Sequence, residues 1–64
     1  MQAFNTIFEA TSNDGNKIAV RQSAVDLEFT IWVNGKRDDD VESEVSLGNI
    51  LHHFAYYFEV GEVA

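Results

Sequence analysis

The stretch Asp26-Leu27-Glu28-Phe29-Thr30-Ile31-Trp32-Val33-Asn34-Gly35 alternates apolar and polar residues and ends on a turn dipeptide. In an extended chain Leu27, Phe29, Ile31 and Val33 fall on one face, with Glu28, Thr30 and Trp32 on the other. The pattern predicts a strand over residues 26–33, central in a sheet. Asn34-Gly35 predicts a hairpin, because both residues tolerate the positive φ that a tight turn demands.

Downstream, alternation predicts a fourth strand over Val41 to Leu47, with Val41, Ser43, Val45 and Leu47 on one face. A two-residue loop at Asn34-Gly35 would pair Val33 with Lys36 and Glu28 with Val41, setting the two apolar faces against each other. The expectation is therefore a three-residue loop with a bulge, or a longer loop using part of Lys36 to Asp40. Either puts the Asp run at a loop or at the bulged start of an edge strand.

Upstream, residues 2–10 also alternate, with Phe4, Thr6, Phe8 and Ala10 against Ala3, Asn5, Ile7 and Glu9. Both faces carry apolar residues, so alternation alone does not say which is buried. Thr11 to Asn16 is turn chemistry, and residues 17–23, with Ile18 and Val20, form the next strand. After the sheet the period changes. Leu47, Ile50, Leu51, Phe54, Tyr57 and Phe58 make an apolar stripe at helical spacing over residues 46–60, with Ser46 as N-cap and Gly61 as stop. The fold class is α+β: a small antiparallel sheet of three to four strands built from β-hairpins, followed by one C-terminal amphipathic helix on one sheet face. Residues 1–64 make a single domain. The second sheet face, with Trp32, Thr30 and Glu28, is expected to be exposed and suited to a partner or to self-association.

Of the 64 residues 45% are hydrophobic, including five Phe, two Tyr and one Trp, which excludes an intrinsically disordered class. A core this small supplies roughly 3 to 5 kcal/mol, so a partner subunit or a larger partner is a natural supplement. There is no Cys, hence neither a disulfide nor a thiolate metal site. His52 and His53 are adjacent, about 100° apart on a helix, and do not converge on one ion. Neither a metal nor a cofactor is expected. No window approaches the roughly 18 apolar residues of a membrane span, and the N-terminal residues lack a basic, then apolar, leader; a cytoplasmic location is expected.

Charge is distributed unevenly. Residues 1–37 balance four acids (Glu9, Asp14, Asp26, Glu28) with Lys17, Arg21, Lys36 and Arg37, whereas residues 38–64 hold seven acids and no Lys or Arg, so the net charge of −7 lies there. Such a chain repels phosphate backbones and anionic lipid, so the expected partner is a basic protein surface, with no direct nucleic acid and no membrane. In an extended strand Asp38, Asp40, Glu42 and Glu44 would project from one side about 6.8 Å apart, resembling a row of phosphates. The plainer reading is a solvated edge whose charges prevent sheet-to-sheet aggregation. A calcium loop does not fit, since the acids lack the spacing of that motif.

Partner-binding residues are thus expected among Asp38, Asp39, Asp40, Glu42 and Glu44, with Trp32 as an aromatic anchor and His52 and Tyr56, one helical turn apart, as a contact patch. No catalytic constellation is present, and an enzyme is not expected. The expected role is a small acidic intracellular module that inhibits or modulates a host nucleic-acid-handling protein, of the kind phages and mobile elements encode. The alternative is a homodimeric structural or accessory domain, paired through its Trp32 face, whose acidity serves solubility only.

Overall fold

The structure, a computed structural model, describes residues 3 to 58. Strands β1 (Phe4–Thr11), β2 (Lys17–Ser23), β3 (Phe29–Val33) and β4 (Lys36–Arg37) form one antiparallel sheet in the order β1-β2-β3-β4, and helix α1 (Leu47–Tyr56) packs across β2 and β3. This is the expected α+β architecture. The expected start of β1 at residue 2, helical positions 59 and 60 and the stop at Gly61 lie outside the described residues.

The core is small because only one sheet face meets the helix. Ile18 and Val20 of β2, Ile31 of β3 and Ile50 of α1 are fully buried, rimmed by Phe29, Val33, Val41, Phe54, Tyr57 and Phe58. Burial of apolar surface at these positions supplies most of the driving force.

In β1 the ladder with β2 shifts between Thr6 and Phe8, so Ile7 is the extra residue of a β-bulge. Because of the bulge, the two halves of the strand face opposite ways. Phe4 pairs with Ser23 on the side away from the helix, where its ring meets Trp32, whereas Phe8 pairs with Val20 and its ring meets Phe54. The strand is apolar on both faces because each half sets a Phe on a different side of the sheet, Phe4 half-buried and Phe8 still 40% exposed.

The β2–β3 connection is longer than the alternation implied. Leu27, expected inside the strand, has φ 63° and is solvent-exposed, and the N–H of Ser23 donates to Glu28 O at 2.9 Å. The strand thus begins at Phe29, and residues 24 to 27 are a loop.

Asn34-Gly35 corrects the expected loop. It is a two-residue turn, with φ 52° at Asn34 and 86° at Gly35, and Val33 pairs with Lys36. Asn34 Oδ1 accepts from the N–H of Lys17 at 2.9 Å, tying the turn to β2. The clash of apolar faces is avoided because the chain leaves the sheet after Arg37. Continued register would bring Phe29 opposite Asp40; the actual bridge is to Glu44, through N–H···O bonds of 2.8 and 3.0 Å. The fourth strand expected over Val41 to Leu47 is accordingly absent, reduced to that bridge, and the Asp run is a turn. Looping out Asp40 to Ser43 does bring Val41 onto the core beside Phe29, as the longer-loop alternative required.

The N–H of Asn49 donates to Ser46 Oγ at 3.3 Å, so Ser46 caps α1. Ser46→Ala should cost about 1 kcal/mol. The midpoint of a thermal melt should fall by about 5 °C.

Candidate functional site

The acids of residues 38–44 occupy the loop between β4 and α1, and they divide into two groups. Asp38 and Glu44 are built into the fold. The N–H of Asp38 donates to Ile31 O at 2.9 Å, its Oδ1 accepts from the N–H of Asp40 at 3.1 Å, and its Oδ2 accepts from the Tyr57 hydroxyl. One carboxylate therefore closes the turn and ties it to the end of the helix. Glu44 does the same at the other end: its Oε1 accepts from Asn49 Nδ2 at 3.4 Å, and its Oε2 lies 3.3 Å from His53 Nε2. The Tyr57 hydroxyl is held protonated beyond the usual phenol range, first by burial, then by its bond to Asp38 and by the charges of Asp38 and Asp40.

Asp39, Asp40 and Glu42 form the second group, with their side chains exposed. Among the described residues no Lys or Arg approaches a carboxylate within 4.0 Å; the one ion-pair geometry is His53 with Glu44. This corrects the evenly spaced row. A row needs an extended strand, and the Asx-type turn at Asp38 breaks it. The result is a compact acidic turn held at both ends, followed by Val45, which is 77% exposed.

Trp32 is placed otherwise than expected. It lies on the sheet face away from the helix, but it is half-buried. Its Nε1–H donates to Thr30 Oγ1 at 2.8 Å, the Phe4 ring meets it edge-on at 5.2 Å, and the Arg21 guanidinium sits 4.4 Å from its ring centroid. Ala19 and Thr30 on the same face are buried. This face thus carries a thin layer of its own large side chains, and Trp32 is no free-standing anchor.

His52 and Tyr56 line one shallow open depression together with His53, and Tyr56 is 72% exposed. They lie on the helix, apart from the acidic turn except where His53 reaches Glu44. Among the described residues no group of three or more His, Asp or Glu is placed to hold a metal, and no helix is long and apolar enough to cross a membrane. Tyr57 as the helix-side partner of Asp38 and Arg21 as the partner of Trp32 were missed in the sequence. Lys17 and Arg21, four residues apart in one strand, share a face by alternation alone, whereas adding Arg37 to them requires the hairpin register.

Compared with protein-family models, curated proteins and solved structures, the chain finds no match in any of the three.

Proposed function

We propose that this chain is a protein-binding module whose acidic turn recognises a basic protein surface, and that it acts as an inhibitor or modulator of a nucleic-acid-handling protein. One observation carries the reading: Asp39, Asp40 and Glu42 are exposed and have no Lys or Arg partner among the described residues, on a turn that Asp38 and Glu44 anchor to the helix. Charge held in a fixed geometry and left without an internal partner favours association with an oppositely charged surface and speeds encounter. Proteins that handle nucleic acid present such surfaces. The exposed Val45 supplies apolar contact beside the charges.

The test compares wild type with Asp39→Asn/Asp40→Asn/Glu42→Gln, which leaves the fold-bearing Asp38 and Glu44 in place. Each protein is immobilised, exposed to a bacterial lysate and eluted with a salt gradient. The wild type should retain a basic nucleic-acid-handling protein that elutes at moderate salt, and the purified partner should bind the variant about tenfold or more weakly at low ionic strength, chiefly through a slower on-rate. Retention of the same proteins by both, or of none by either, would refute the reading.

A further inference from the structure

The sheet face turned away from α1 gathers most of the positive charge. Strand register places Lys17 and Arg21 of β2 and Arg37 of β4 on it, together with Phe4 and Trp32. These are three of the four Lys and Arg residues in the chain. Asp38, bonded to Tyr57, and Val41, packed into the helix-side core, lie on the other side. Two carboxylates share the cationic face: Glu9, paired with Ala19, and Glu28, whose Oε1 is engaged by Ser43 Oγ at 2.6 Å.

Arg21 is the residue on which the inference turns. Its guanidinium lies over the Trp32 ring, it has no carboxylate within 4.0 Å among the described residues, and its Nε is buried without a hydrogen-bond partner. Contact with the ring presets the plane of the guanidinium, and it is the terminal Nη groups, not the buried Nε, that are left to meet a phosphate. The chain's net negative charge speaks against nucleic acid only as a sum. Screening reduces fields over about 8 Å at physiological salt, so a ligand on this face meets Lys17, Arg21 and Arg37 before it meets the acids of the far side.

We propose that this face binds a single-stranded nucleic acid, its phosphates over Lys17, Arg21 and Arg37 and its bases against the Phe4 and Trp32 rings. Lys17 and Arg21 stand about 13 Å apart along β2, and β4 lies about 10 Å across the sheet from β2, so a strand of a few nucleotides spans all three. A flat sheet face offers no helix or ribbon for a duplex groove, whereas rings on a sheet stack against unpaired bases. The aromatic pair also favours a nucleic acid over an acidic peptide. Two-fold pairing of this face with its own copy would set Lys17, Arg21 and Arg37 against like charges. The proposal does not depend on the acidic turn.

Trp32 is the only Trp in the chain and reports on the site directly. The full chain is titrated with an oligothymidylate of about 12 nucleotides, within the range one small binding module covers. Trp32 fluorescence should change on binding, and log K against log salt should have a slope of about −2, roughly 0.7 per phosphate neutralised. Lys17→Gln/Arg37→Gln alters two exposed side chains, and circular dichroism checks that the fold is kept. In this variant the slope should fall to about −0.7 and binding at low salt should weaken at least tenfold. Three outcomes overturn the proposal: Trp32 fluorescence that does not respond to the oligonucleotide at low salt, a double variant that binds with the wild-type slope, or a polyglutamate peptide that competes as well as the oligonucleotide.

Discussion

Ile50→Ala should leave the chain largely unfolded at 25 °C. Ile50 is the one helix residue among the four fully buried apolar side chains, and it closes the layer formed by Ile18, Val20 and Ile31. Truncating a buried Ile to Ala costs about 2 to 5 kcal/mol, as lost transfer energy plus a cavity. The whole core of a domain this size supplies roughly 3 to 5 kcal/mol. The two magnitudes are the same, so one substitution removes most of the stability. Far-UV circular dichroism and urea titration check this, with Val45→Ala as control. Val45 is 77% exposed, and its truncation should change stability by less than about 0.5 kcal/mol. A cooperative Ile50→Ala transition within about 1 kcal/mol of wild type would mean that the fold is held chiefly by the rim of the core.

Elements whose signals are local could be read directly from the sequence. The bounds of β2, the start of α1 at Ser46 and the place of the hairpin at Asn34-Gly35, though not its two-residue length, each rest on alternation, a cap or a positive-φ dipeptide, and all are present. What escaped needed information that alternation does not carry. No Gly marks the bulge at Ile7, yet it decides which way Phe4 and Phe8 face. The fourth strand failed for a related reason. Pairing arithmetic assumed that the chain stays in the sheet beyond Arg37, whereas Asp38 caps its own turn and re-enters only at Glu44. Three consecutive Asp residues are a turn signal in their own right, in keeping with the loop that was one of the two expected places for the Asp run.

The candidate site follows the same division. That the acids cluster in residues 38–64, which hold no Lys or Arg, could be read from the sequence, but the separation of Asp38 and Glu44 from Asp39, Asp40 and Glu42 could not. It depends on Tyr57, Asn49 and His53 reaching back from the helix. Trp32 shows the same dependence on distant residues. Alternation places it on the second sheet face, but only the fold shows Phe4 and Arg21 closing around it. The same fold turns Asp38 and Val41 toward the helix and Lys17, Arg21 and Arg37 to the other sheet face.

The Asp38–Tyr57 contact should show strong coupling in a double-mutant cycle and a distinct alkaline signature. Asp38→Ala removes the acceptor of the Tyr57 hydroxyl and of the Asp40 N–H together, and should cost about 1 to 3 kcal/mol. Tyr57→Phe leaves Asp38 capping the turn and should cost about 0.5 to 1.5 kcal/mol. The double variant has no stranded hydroxyl, so its cost should fall below the sum of the two by at least about 0.5 kcal/mol. In the unfolded chain a Tyr hydroxyl ionises near pH 10, at about its model value. In the fold the Tyr57 hydroxyl keeps its proton to higher pH, through burial first and the Asp38 bond second. Above pH 10 the unfolded state binds fewer protons than the native state, so stability falls as pH rises. Below pH 10 this contribution is fully present. Wild type should therefore lose its advantage over Tyr57→Phe as the pH of a urea titration is raised from about 9 to 11.5. If the two stability curves stay parallel over that range, the hydroxyl is free in solution, and Asp38 holds the acidic turn through its Asp40 contact alone.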